Sequence, residues 1–405
     1  MKKFQSIFMG DRVIWVVFFF LCAISLVEVF SAASSLAYRT GDIWQPITRH
    51  AGFLLLGVVV AVILHRIPCR MFKVMPVLLV PASALLLMLA MLVGEEVNGS
   101  RRWVAGFQPS EFAKLAVISG VALILSRFQR EEGADPKAFK LILYLTVPFC
   151  LLILTENLST AMLLFGVVVL MMFIGRVSLL QLGKLIGVCL LGLSFVVGIA
   201  MTLPKETIAE LPGMHRFVTW SNRVDSHADE ASDDPALFDI DKNAQVAHAN
   251  IAIASSNGVG KMPGNSVERD FLSQAFSDFI FAIIIEEMGI WGAALVVILY
   301  VFLLFRTGRI CSRCERNFPP FLAMGLTLML VSQAALNMMV AVGLFPVTGQ
   351  PLPLISRGGT STIISCCYIG IILSVSRYSR QVSEPQHTRF DGPMDGIARE
   401  DNAHA

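Results

Sequence analysis

Ten apolar stretches of roughly membrane-crossing length recur along this chain, over 13–36, 50–66, 72–93, 112–127, 139–155, 158–175, 181–203, 278–305, 320–342 and 362–377. So many segments can be buried together only in a bilayer. In lipid each backbone N–H and C=O needs an internal partner, so the segments are expected to be helices. Composition agrees: 55% of the 405 residues are hydrophobic and 15% are charged, with a mean hydropathy of +0.68, which excludes an ordinary soluble domain. The expected fold is an all-α polytopic membrane protein of about ten transmembrane helices, with nine or eleven allowed by the short fourth, sixth and tenth segments.

Lys and Arg set the orientation. With the N-terminus inside, Lys2, Lys3, Arg66, Arg70, Arg127, Arg130 and the basic run over 306–316 all fall in inner loops. The reading is a cytoplasmic N-terminal tail over 1–12, a membrane domain over 13–377 and a disordered cytoplasmic tail over 378–405. The long loop over 204–277, between the seventh and eighth helices, and the loop over 94–111 then share the outer face. Lys2, Lys3 and Ser31-Ala32-Ala33 imitate a signal peptide, but the apolar run exceeds a normal h-region, so the first segment is kept as an anchor. The net charge of +2 is spread over topology-setting loops, which disfavours nucleic acid as a partner. Eight scattered cysteines outline no disulfide framework, and the lone pair Cys311 and Cys314 lacks two further zinc ligands nearby.

Three outer regions carry the chemistry. The first places Arg101, Arg102 and Trp103 in a short outer loop, against the positive-inside tendency, where forked guanidinium donors suit a phosphate and the indole suits an interface or a sugar face. Ordinary headgroups and an aromatic belt explain that loop equally well. Glu111 and Lys114 follow, three apart at the start of the fourth helix. They are expected to neutralise each other on one face, with Ser110 as a cap.

The second region ends at Asp278, a carboxylate at the mouth of the eighth span, approached through an acidic stretch over 225–241, a helix-compatible stretch over 245–256 beginning at Gln245, and Gly258, Gly260 and Gly264. A structural role near the helix N-terminus, with Ser277 as a cap, competes with a chemical one. Glu286 and Glu287 lie roughly 12 to 14 Å further along the same helix and need buried partners or protonation. In the third region, 343–361, three prolines forbid continuous helix, so irregular backbone should line a cavity there. Arg357, Gly358 and Gly359 then offer a cation and free amides at a helix start.

These elements, in this order, resemble the SEDS family (shape, elongation, division and sporulation). The resemblance covers roughly residues 10 to 380. It rests on Gly99, Arg101, Arg102, Trp103, Gln108, Pro109, Ser110, Glu111 and Lys114; on Asp278-Phe279-Ile280-Phe281 and Glu286-Glu287-Met288-Gly289; and on Pro346-Val347-Thr348-Gly349, Pro351-Leu352-Pro353 and Gly358-Gly359. Phe276 and Ser277 stand where the family has His and Thr, Arg357 where Tyr is frequent, and Thr155-Glu156-Asn157-Leu158-Ser159-Thr160 where Gln-Pro-Asp-Leu-Gly-Thr is usual.

The resemblance implies a ten-helix peptidoglycan glycosyltransferase of the bacterial cytoplasmic (inner) membrane, polymerising lipid II into glycan strands at the outer face and releasing undecaprenyl pyrophosphate. It implies Asp278 as the catalytic group. Arg101, Arg102, Trp103, Glu111, Lys114, Arg216, Gln245, Arg357, Gly358 and Gly359 form the expected substrate-binding set. A divalent cation, Mg2+ or Mn2+, is expected, with Asp278 as a possible ligand, and no organic cofactor. Expected partners are lipid II, the nascent glycan strand, a class B penicillin-binding protein and other division proteins. The compact chain and polar tail favour the division branch, at the septum, over the elongation branch. Competing readings are a lipid-linked-sugar flippase or transporter and a non-catalytic scaffold of the division machinery.

Overall fold

The structure, a computed structural model, describes residues 8–32, 44–97, 100–104, 106–202, 244–272 and 275–383. In chain order its elements are α1 (Arg12–Ala32), α2 (Trp44–Leu64), α3 (Met75–Val93), β1 (Glu95–Val97), β2 (Ser100–Trp103), α4 (Pro109–Arg127), α5 (Pro136–Leu154), α6 (Leu158–Ile174), α7 (Leu179–Thr202), α8 (Ala244–Ser255), α9 (Ile280–Cys311), α10 (Phe318–Ala341) and α11 (Gly359–Ser383). Each expected apolar stretch is a helix. Eight are long and apolar enough to cross a membrane, and α6 and the Leu179–Gly192 part of α7 are shorter apolar helices. The chain is a multi-pass membrane protein. Arg216, the acidic stretch over 225–241 and residues 384–405 lie outside the described residues.

The all-α architecture stands, and three points add to or correct finer expectations. The loop over 94–111 contains a short two-stranded antiparallel ribbon, with Glu96 opposite Arg101 and Val97 opposite Ser100. That ribbon lies between apolar segments, where its edges can be solvated, a freedom denied to strands inside hydrocarbon. The last helix continues to Ser383, so residues 378–383 belong to it rather than to a tail. Electrostatics explain the extension: Asp11 accepts from Arg306 of α9 at 2.7 Å and faces Arg380 of α11 at 3.8 Å, while its other oxygen takes the Val13 amide at the start of α1.

The third point concerns α9, which is not one unbroken span. At Gly289 the backbone takes φ 68°, ψ −168°, and the helix breaks. The carbonyls of Glu286 and Glu287 accept instead from the amides of Lys261 and Met262, at 2.9 and 2.8 Å, and the Ile290 amide donates to Gly258 at 3.1 Å. A Cβ on Gly260 would stand 2.4 Å from the Glu287 carbonyl oxygen, and one on Gly289 would stand 2.5 Å from Val259. The glycine-rich approach is therefore a backbone-to-backbone crossing that repairs a broken membrane helix.

Helices α4 and α11 are the most enclosed, whereas α2, α3 and α5 present Leu55, Leu85, Leu92 and Tyr144 outward. Close approach of α2 and α11 depends on small residues: a Cβ on Gly57 would meet Cys366 Sγ at 2.6 Å, and one on Gly370 would meet Ala61 Cα at 2.9 Å. The enclosure of α4 holds Glu111 and Lys114 inside the bundle.

Candidate active site

Asp278 lies half-buried in the turn over 275–279, one residue before the N-cap of α9. The cap position belongs to Phe279, which makes no side-chain cap hydrogen bond, so Ser277 is not the cap residue. Ser277 Oγ instead donates to the Asp278 carboxylate at 2.9 Å, and the Asp278 carbonyl accepts from Asn337 at 2.8 Å. This turn abuts the irregular segment before α11. Ser356 Oγ donates to the Ser277 carbonyl at 2.6 Å, the Arg357 amide donates to the Phe276 carbonyl at 2.9 Å, and the Arg357 guanidinium covers the Phe276 ring at 5.1 Å.

The segment over 343–358 forms no helix beyond a single turn at Leu352–Ser356, and side chains from elsewhere donate to several of its carbonyls. Gln333 donates to Pro351 at 3.0 Å, Asn337 to Gln350 at 2.8 Å, Ser25 to Ile355 at 2.7 Å, and Tyr300 to Pro353. Polar residues at these four places inside apolar helices thus satisfy exposed carbonyls. Gln350 in turn donates to Thr160 Oγ1 at 2.6 Å.

Lys114 and Glu111 form the expected ion pair at 2.8 Å, both nearly inaccessible, and Lys114 also donates to Gln333 Oε1 at 2.8 Å. The pair is thereby linked through Gln333 to the segment over 343–358. Ser110 does not cap α4: Pro109 occupies the first turn, Gln108 is the cap residue, and Ser110 Oγ is buried without a hydrogen-bond partner.

Arg357 is half-buried, and burial together with the neighbouring Arg49 holds its pKa below the ordinary arginine range. Arg49 is a site residue that the sequence reading missed. It lies over Phe53, whose ring a Cβ on Gly359 would touch at 3.4 Å. Two cations therefore flank the Gly358-Gly359 start of α11, a place where a negative charge is stabilising.

Several expected residues stand elsewhere. β2 places Arg101, Arg102 and Trp103 against the neighbouring ends of α3 and α4. Gln245 is half-buried on α8, which packs on α9. Asn157, in the segment that departs from the family pattern, caps α6 by accepting from the Thr160 amide at 3.1 Å. Glu286 is paired with Lys261 at 2.7 Å, and Glu287 accepts from Ser31 and lies 3.9 Å from Arg269.

The family model for FtsW, RodA and SpoVE, described as "Cell cycle protein", matches residues 11–381. A probable peptidoglycan glycosyltransferase FtsW from Halomonas elongata is 33% identical over 393 residues, covering 94% of this chain and 93% of its own. One of the same description from Nitrosomonas europaea is 32% identical over 374 residues, covering 89% and 91%. A chain of a peptidoglycan synthase complex, described for the structural coordination of polymerization and crosslinking, superimposes with a TM-score of 0.69 at 26% identity, covering 92% of this chain and 99% of that one. The enclosed ion pair, the repaired helix break and the segment before α11 thus lie within a match that runs almost end to end, and the chain belongs to the FtsW, RodA and SpoVE family of cell cycle proteins.

Proposed function

We propose that this protein polymerises lipid II into glycan strands during septal wall synthesis, with Asp278 as the group that activates the attacking sugar hydroxyl. Family membership and the names of its relatives make the chain a peptidoglycan glycosyltransferase, and those names favour the division branch. The observation that supports the site is the setting of Asp278. It is half-buried and hydrogen-bonded by Ser277, and its turn is joined directly to Arg357.

The reaction asks for two things. A hydroxyl of the acceptor saccharide must lose a proton as it attacks the anomeric carbon of the donor, and the departing pyrophosphate must be neutralised. A carboxylate beside the reacting hydroxyl serves the first. Arg357, half-buried, and Arg49, exposed beside it, both near the start of α11, serve the second, with Arg101, Arg102 and Arg216 as further phosphate contacts. The Glu111–Lys114–Gln333 chain positions the segment that carries Arg357 rather than meeting substrate. Among the described residues no three His, Cys, Asp or Glu side chains converge on a metal site. Mg2+ or Mn2+ would be held by Asp278 together with the substrate's own phosphates, where it would add positive charge.

The excess of Lys and Arg in the other set of loops supports the outer side of the cytoplasmic membrane for Asp278. The similarity to a peptidoglycan synthase chain supports a class B penicillin-binding protein as the partner that crosslinks the new strands, with other division proteins alongside. A transporter reading is less well supported, since Glu286, Glu287 and Lys114, the ionisable groups it would use, all stand in fixed contacts. The test is to purify the protein with its penicillin-binding partner, supply lipid II and a divalent cation, and compare the glycan made by the parent and by Asp278→Asn at equal folded amounts. Polymer from the parent alone is expected. Equal polymer from both would remove Asp278 from the chemistry.

A further inference from the structure

At the membrane face opposite Asp278, a cavity of about 240 Å³ opens between the α2–α3 turn, the α9–α10 loop and the end of α11. Four cations line it, Arg70, Lys73, Arg316 and Arg377, and no Asp or Glu does. Nearby basic residues are treated differently: Arg306 and Arg380 share Asp11, and Arg130 is paired with Asp135. No ion pair is found for the four lining cations among the described residues. Nor does Cys69 in the wall supply negative charge, because burial pushes its thiol above the usual range.

Two of the cations are held in place. Arg377 spends one N–H on the Arg66 carbonyl at 3.0 Å, and Lys73 sits 5.8 Å from the centre of the Phe318 ring. Like charges gathered around one concavity repel, and the arrangement is relieved by an anion bound between them. The walls also include Pro68, Phe318 and Pro319, and beside the mouth Met71, Val74 and Val77 face outward. The site thus offers a polar, positive interior next to an apolar slope, the two chemistries of a phospholipid.

We propose that this cavity binds the phosphate headgroup of an anionic phospholipid from the inner leaflet, its acyl chains lying along the exposed face of α3. A headgroup there would bridge three elements, among them the end of α11, the helix that begins at Arg357. The shared chemistry is a phosphate, and soluble phosphate is the competing source.

Native mass spectrometry of the full chain with equal amounts of phosphatidylglycerol and phosphatidylcholine of matched acyl chains tests this. The parent should retain the anionic lipid roughly tenfold over the zwitterionic one, given the attraction of anionic lipid to several cations. Arg70→Gln with Arg377→Gln should abolish that preference, and Arg309→Gln, a cation outside the cavity, should leave it intact. Because Arg377 also holds a backbone carbonyl, Lys73→Gln with Arg316→Gln provides a second pair of exposed side chains and should give the same loss. Undiminished preference in a folded double variant overturns the proposal. So does complete displacement of the lipid by millimolar inorganic phosphate, which would make this a free-phosphate site.

Discussion

Arg357 and Phe276 hold each other at two levels: backbone amide to backbone carbonyl at 2.9 Å, and guanidinium to ring at 5.1 Å. These are two of the positions at which the chain departs from the pattern of its relatives, and the structure makes them one unit. A desolvated cation over an aromatic face is worth about 0.5–2 kcal/mol. Phe276→Leu, which keeps bulk and removes the ring, is expected to slow lipid II polymerisation severalfold. Arg357→Gln is expected to slow it about tenfold or more, because it also removes charge opposite the pyrophosphate. Glycan gels read both, and a Phe276→Leu enzyme as fast as the parent would show that the ring does not position Arg357.

The enclosed pair Glu111 and Lys114 makes a different kind of prediction. Removing one partner leaves a buried charge, at a cost of about 3–5 kcal/mol, whereas neutralising both together is far milder. Lys114→Met should lower the melting temperature in detergent sharply, and Lys114→Met with Glu111→Gln should recover most of the loss. Additive losses would contradict the pairing.

Glycine substitutions separate conformational strain from collision. Gly258, Gly260 and Gly289 all have positive φ, but a Cβ on Gly258 meets nothing closer than 3.7 Å, while at Gly260 and Gly289 it strikes backbone at 2.4 and 2.5 Å. Gly258→Ala should cost about 1 kcal/mol. Gly260→Ala and Gly289→Ala should abolish recovery of monodisperse protein, since the obstructing atoms are main chain. Equal yields from the three variants would mean that the crossing can open without loss.

Glu28 on α1 is fully buried, with no hydrogen-bond partner at either carboxylate oxygen among the described residues, and it lies within electrostatic reach of Glu287. An unsatisfied buried polar group costs about 1–3 kcal/mol. Glu28→Met is therefore expected to raise the melting temperature while leaving polymerisation unchanged. A lower melting temperature would mean that the carboxyl has a stabilising partner.

The helices were legible because apolar length is a local property that lipid enforces residue by residue. The positions of Asp278, Glu111 and Lys114 could be read for the same reason: a charged group at or inside an apolar run stands out. What escaped was anything made by two distant segments. The break at Gly289 is one such feature, because the backbone that replaces its missing hydrogen bonds comes from residues 258–262. Gln333 and Asn337 did carry a signal, two amides four apart in an apolar helix, but their partners are carbonyls of a loop that sequence periodicity does not describe. Arg49 broke the positive-inside pattern just as Arg101 and Arg102 did. The Ser110 cap was misread because Pro109 already shapes that first turn.

Asp11 gives the molecule a common footing. Both arginines it gathers belong to helices whose opposite ends begin just after Asp278, at Ile280, and at Gly359. The span between the carboxylate and the arginines near the start of α11 is thus framed by two struts tied at their base, with one of them jointed at Gly289. At that joint the strut is held by residues 258–262, so its two halves are anchored to different parts of the chain.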